Sequence, residues 1–282
     1  MRFVQLSATF SMLLVLFAGV AQAEVNREIY RPYQQMLEQF LAEKELPGDG
    51  LVTAFDYQAA VDHDETVRML SEQRGALAGF DLASLEGRDE SVAFWINAYN
   101  FFMLDQILTE RPDGKLVGSV WDYGGRVNPF VDSVFDRDKF RIDGQDYSLN
   151  QIEKEILLGN DYADKGWKDA RVHFAVNCAS VGCPPLREVI YTADNLEALL
   201  AENTRRAFAT DRHLRIEEGT LHVTELFKWY EKDFVEAAGS RKAYIEEWAD
   251  SSVAGRVADT SDIEFIDYDW ALNTPANFPE FR

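Results

Sequence analysis

The 282-residue chain carries 49 acidic against 28 basic side chains, a net charge of −21 at pH 7. A field this negative repels phosphate backbones and anionic lipid headgroups, which argues against nucleic acid and the membrane surface as partners. With 46% hydrophobic and 13% aromatic residues, the chain can bury a large core, so disorder is excluded as its main description.

The chain opens on MRFVQLSATFSMLLVLFAGVAQAEVNRE. Arg2 precedes an apolar run from Ala8 to Val20, and Ala21-Gln22-Ala23 supplies the small-x-small pattern of a signal-peptidase site. The run is shorter than the ~20 residues a spanning helix needs. Residues 1–23 are therefore expected to be cleaved. The mature chain would be exported to the periplasm or the extracellular space, with no membrane insertion afterwards.

Residues 26–46 carry Ile29, Tyr33, Met36, Leu37, Phe40 and Leu41 at helical spacing and stop at Pro47-Gly48. They predict an N-terminal helical arm within residues 24–50. A second helix is predicted over 64–79, with Val67, Leu70 and Leu77 on one side. No Gly or Pro interrupts Asp89 to Arg111, and apolar residues lie all round its middle. A helix apolar on every face is buried on every face, so this should be the central helix.

The period then changes. Asp143-Gly144 sits between alternating stretches in KFRIDGQDYSL, 139–149, predicting a hairpin with a primed turn. Ser148 and Gln151 form a capping box opening a short helix through Leu157. RVHFAVNC, 171–178, reads as an interior strand. A helix over 193–209, a hairpin over 213–223, short helices over 224–239 and 241–251, and a strand over 263–270 complete the pattern. Helices first, then strands mixed with helices, predict an α+β fold with a buried central helix on a mainly antiparallel sheet. Residues 51–282 are expected to form one domain.

FWINAYN (94–100), YSLNQIEKEIL (147–157), RVHFAVNCASVGCPPLR (171–187), LFKWYEKDF (226–234) and IDYDWALN (266–273) follow one another as in the domain-of-unknown-function 547 family. The chain resembles that family over roughly residues 55–273. The resemblance implies an α+β domain but brings no agreed reaction.

The fourteen residues HFAVNCASVGCPPL, 173–186, gather a histidine, an asparagine and both cysteines of the chain. In a strand, alternate side chains share a face, which would put His173 and Asn177 on one side and Cys178 on the other, toward the core. Cys183, just before Pro184-Pro185, would lie on an exposable loop and is the better candidate for a reactive thiol. A cysteine nucleophile needs a base, usually an imidazole held by an amide or carboxylate. His173 fits that role, and Asn97 and Asn100, one turn apart on the central helix, could orient it or donate to an oxyanion. A buried helix beside an antiparallel sheet is also the distant architecture of papain-like hydrolases, as an analogy of fold only.

The opposing reading is structural. Two cysteines in an exported protein usually form a disulfide, and a Cys178–Cys183 bond would contribute about 2 kcal/mol on the chain-entropy argument. Asn97 and Asn100 would then clamp neighbouring backbone. Four scattered histidines with Cys-x4-Cys have no zinc spacing, and neither a phosphate loop nor a Gly-x-Ser-x-Gly elbow is present. No metal or cofactor is expected. The residues favour a disulfide-stabilised binding or scaffold module for an unknown small molecule or protein. The alternative is a cysteine-dependent hydrolase or acyltransferase using Cys183, His173 and Asn97 or Asn100.

Overall fold

The helix Arg88–Thr109 is the axis around which the rest packs, and each of its residues from Glu90 to Leu108 is buried. Asp89 and Glu90 in the first turn complement the positive end of its dipole. Phe94, Phe101, Phe102 and Ile107 along it are no more than 1% exposed, and each contributes about 2–3 kcal/mol by burial. The computed structural model describes residues 27–125 and 132–282; the leader expected over 1–23 lies outside them.

The N-terminal helix, Arg31–Phe40, lays Tyr33, Met36, Leu37 and Phe40 against this core. The preceding Tyr30 fastens it by donating its hydroxyl to the Phe94 carbonyl at 2.7 Å. The helix expected through residue 46 stops at Phe40. Leu41–Glu45 instead forms strand β1, paired antiparallel with β2, Leu51–Phe55, with Leu41 opposite Phe55. Pro47 and the left-handed Gly48 turn the chain between them.

Thr66–Ala78 is helical, but Val67 is 74% exposed; Met69, Leu70, Gln73 and Leu77 form its buried side. Gln73 replaces an apolar residue there because both ends of its amide are used. Oε1 accepts from Tyr33 N–H at 3.1 Å, and Nε2 donates to the Ile29 carbonyl at 3.0 Å.

Strands β3 (Phe140–Ile142) and β4 (Gln145–Tyr147) form the predicted hairpin, with φ of 48° at Asp143 and 70° at Gly144 as a primed turn requires. The capping box is present: Ser148 N–H donates to Gln151 Oε1 at 2.8 Å and Gln151 N–H to Ser148 Oγ at 3.1 Å. The helix it opens, Gln151–Leu157, is wound as a π-helix. It closes against Gly159, where a Cβ would stand 1.8 Å from the Glu155 carbonyl oxygen.

Residues 171–178 are not a strand. Asp169 caps a 3-10 helix over Ala170–Phe174 by accepting from Arg171 N–H at 2.9 Å, and irregular chain follows. The alternating faces therefore do not exist; every residue from Arg171 to Asn177 is buried. The segment runs between two cores. Val172, Ala175 and Val176 pack around the central helix, whereas Ala170 and Phe174 join a second cluster with Phe208, Phe227, Phe234 and Tyr244.

Beyond it lie the helix Leu196–Phe208 and the antiparallel strands β5 (Leu214–Glu217) and β6 (Thr220–Thr224). The short helices Leu226–Trp229, Glu231–Ala238, Arg241–Trp248 and Ser251–Val257 follow. Strand β7 is shorter than expected, Ile263–Ile266, and runs parallel to β6. The architecture is α+β, with the strands among the described residues in three small sheets. Among the described residues no helix is long and apolar enough to cross a membrane.

Candidate functional site

A cavity of about 910 Å³ opens where the two cores meet. Tyr99 reaches it from the central helix, Glu153 and Lys154 from the π-helix, and His173 and Val176 from the segment between the cores. Cys178 and Cys183 form part of its wall, as do Trp229, Tyr230 and Asp233.

His173 is fully enclosed. Its ring stacks on Tyr230 with centroids 4.0 Å apart, and Nε2 lies 3.0 Å from Asp233 Oδ2. Lys168 Nζ also reaches Asp233, at 2.7 Å. Burial alone would raise the Asp233 carboxyl, but the bonds from His173 and Lys168 outweigh it and hold the group at about 2. Asp233 is thus an acceptor only, so the proton on this side of the ring sits on Nε2. Among the described residues His173 Nδ1 has no hydrogen-bond partner; Glu153 Oε1 lies 3.8 Å away.

Glu153 is only 5% exposed. Among the described residues, no lysine or arginine comes within ion-pair distance of it. Burial first, and the Glu153 charge second, push the Tyr99 and Tyr268 hydroxyls above the usual tyrosine range, and the same order holds for Tyr230. All three stay protonated, and Tyr99 and Tyr230 hydrogen-bond to the Glu153 side chain. The Nδ1 of His173, facing the Glu153 side chain, leaves room for a partner supplied by something in the cavity.

The outer walls are aromatic. Trp270 contacts Tyr268 at 4.5 Å and Trp121 at 5.0 Å between centroids, and Trp229 stacks on Trp270 at 5.7 Å. Trp229 is 42% exposed at the rim. Four carboxylates line the space, from Asp136, Glu153, Glu225 and Asp233, with Lys154 the lysine among the described lining residues.

The residues singled out from the sequence fall into two groups. His173, Cys178 and Cys183 do share the cavity wall. Asn97 and Asn100 do not line it, because both amides are engaged with backbone. Asn97 accepts from Tyr191 N–H at 2.9 Å and donates to its carbonyl at 2.6 Å. Asn100 accepts from Asn177 N–H at 2.8 Å and donates to the Ala175 carbonyl at 2.9 Å.

Cys178 and Cys183 are joined in a disulfide. Their exposure reverses the expectation: Cys183 is 7% exposed and Cys178 is the more open of the two. With no strand to carry Cys178 inward, the chain turns at Ala179, φ 61°, and folds Cys183 beneath it. The described residues hold no group of three or more His, Cys, Asp or Glu side chains arranged to bind a metal.

Glu153, Asp233, Tyr230 and Tyr268 were not among the sequence candidates. Each lies in a block that carried the resemblance, YSLNQIEKEIL, LFKWYEKDF or IDYDWALN. Their roles depend on contacts distant in sequence, as in the pairing of His173 with Asp233 across 60 residues.

Residues 82–208 match the family described as Protein of unknown function, DUF547. The chain carries a domain of this family. The matched DUF547 span holds the central helix, Glu153, His173 and both cysteines, whereas Trp229, Asp233 and Tyr268 lie beyond it. No curated protein and no solved structure matches the chain.

Proposed function

We propose that the protein is an exported, disulfide-stabilised binding module. Its α+β domain, residues 51–282, would take into the cavity a ligand with an N–H-bearing cationic head, an ammonium or a guanidinium. One observation carries the reading: the buried acid Glu153, with no lysine or arginine partner among the described residues, lies 3.8 Å from His173 Nδ1 at the base of an aromatic-walled space. An N–H cation placed between them satisfies Glu153 Oε1 and His173 Nδ1 together, and charge-assisted bonds of this kind are about twice as strong as neutral ones. The indole rings of Trp229 and Trp270 add the attraction of a π-face for a cation. Anionic ligands would meet the same carboxylates and be repelled.

The test is a tryptophan-fluorescence titration with alkylammonium and alkylguanidinium compounds, neutral saccharides and carboxylates. Saturable quenching by the cations, lost in Glu153→Gln, is expected. A response confined to saccharides or carboxylates, or one unchanged in Glu153→Gln, would refute the reading.

A second reading, a cysteine-dependent hydrolase, draws on the shared wall of His173 and Cys183. It requires the disulfide to open first, and an oxyanion donor other than Asn97 or Asn100.

A further inference from the structure

One sulfur of the disulfide is surrounded by donors. Cys183 Sγ receives the backbone N–H of Cys178 at 3.1 Å, that of Ser180 at 3.3 Å and the Tyr268 hydroxyl at 3.1 Å. The same hydroxyl lies 3.1 Å from Cys178 Sγ. A sulfur in a disulfide is a weak acceptor that gains little from three donors, whereas a thiolate gains a great deal. Burial keeps Tyr268 protonated, so its hydroxyl stays a donor.

Bonds other than the S–S bond also brace the loop. Asn177 Oδ1 accepts from Ala179 N–H at 2.8 Å and from Asn273 Nδ2 at 3.1 Å, and its own Nδ2 donates to the Pro184 carbonyl at 2.8 Å. Val181 and Gly182 donate to the carbonyls of Ala271 and Asp269, each at 2.8 Å. None of these bonds involves either sulfur. The two sulfurs also differ in access: Cys178 is the more open, and both border the cavity.

We propose that Cys178 and Cys183 form a thiol–disulfide exchange site for a low-molecular-weight thiol. The incoming thiolate forms a bond to Cys178 Sγ as the Cys178–Cys183 bond breaks, and the electron pair of that bond goes to Cys183 Sγ. The N–H groups of Cys178 and Ser180 and the Tyr268 hydroxyl hold the new thiolate. A low-pKa thiol is the faster leaving group, which sets the direction of attack. A second thiolate then attacks the sulfur of the bound thiol, forming the small disulfide and releasing Cys178 as a thiolate that takes a proton from water. Two thiols are oxidised and one protein disulfide is reduced. The site does not depend on which ligand the cavity takes.

The experiment uses the full chain in glutathione buffers without denaturant. Native protein should exchange, and Cys183→Ser should carry its glutathione adduct on Cys178. In Cys178→Ser, Cys183 should be alkylated by iodoacetamide with a midpoint at least one pH unit below the ordinary ~8.5, and adding Tyr268→Phe should move that midpoint upward. If Cys178→Ser fails to fold, peptide mapping of the reduced wild type reads the same midpoint. A disulfide that opens only in denaturant, or a Cys183 midpoint near 8.5 and indifferent to Tyr268→Phe, would overturn the proposal.

Discussion

Asn100 grips the backbone of Asn177 across 77 residues of chain: its side-chain oxygen accepts the Asn177 N–H at 2.8 Å. Its amide nitrogen meanwhile holds the Ala175 carbonyl at 2.9 Å. One buried face of the central helix thereby places the segment that carries His173 on one side of the clamp and the cysteine loop on the other.

Replacing Asn100 by Leu keeps the volume and strands two buried backbone groups, which should cost about 3 kcal/mol. Urea denaturation of the variant and the wild type measures it. Asn97→Leu, which strands both backbone groups of Tyr191, should cost about as much. A loss well under 1 kcal/mol in both would show that the clamps are not needed.

His213 predicts how stability follows pH. Burial first, and the Arg212 charge second, hold its imidazole down to about 4. In the unfolded chain the ring takes its proton near 6.5. Above that pH neither state binds the proton and stability is highest. As pH falls from about 6.5 to about 4 only the unfolded chain gains it, so stability should drop by about 3 kcal/mol and level off below. His213→Gln should remove this slope, read from urea midpoints across the window; a variant with the wild-type slope would contradict it.

Trp229 tests the aromatic wall. Because it is 42% exposed, Trp229→Ala should leave the melting temperature nearly unchanged. Loss of its π-face should weaken a cationic ligand about tenfold. Equal affinity in the variant would remove Trp229 from the site.

The proposed leader makes a separate prediction. N-terminal sequencing of exported protein should begin at Glu24, directly after Ala21-Gln22-Ala23; a start at Met1 would contradict it.

What was legible in the sequence was local. The central helix shows as an unbroken apolar stretch, and the turn at Asp143-Gly144 shows as residues that tolerate positive φ. The failures came where distant contacts decide. Residues 171–178 alternate like a strand, yet Asp169 caps a 3-10 turn and Asn100 and Asn203 hold the carbonyls of Ala175 and Phe174. Leu41 continues the helical spacing, yet it pairs with Phe55. In the site, His173 and the cysteines stood out as residue types. Glu153 and Asp233 did not, because an acid in a 49-acid chain carries no signal until its burial is known.

The most direct measurement is calorimetric titration of the protein with n-butylguanidinium and with n-butylurea, which share shape and N–H donors and differ in charge. The guanidinium should bind at least tenfold more tightly, with the difference collapsing in Glu153→Gln. Equal affinities for the two, or a preference that survives Glu153→Gln, would contradict a cation site at Glu153.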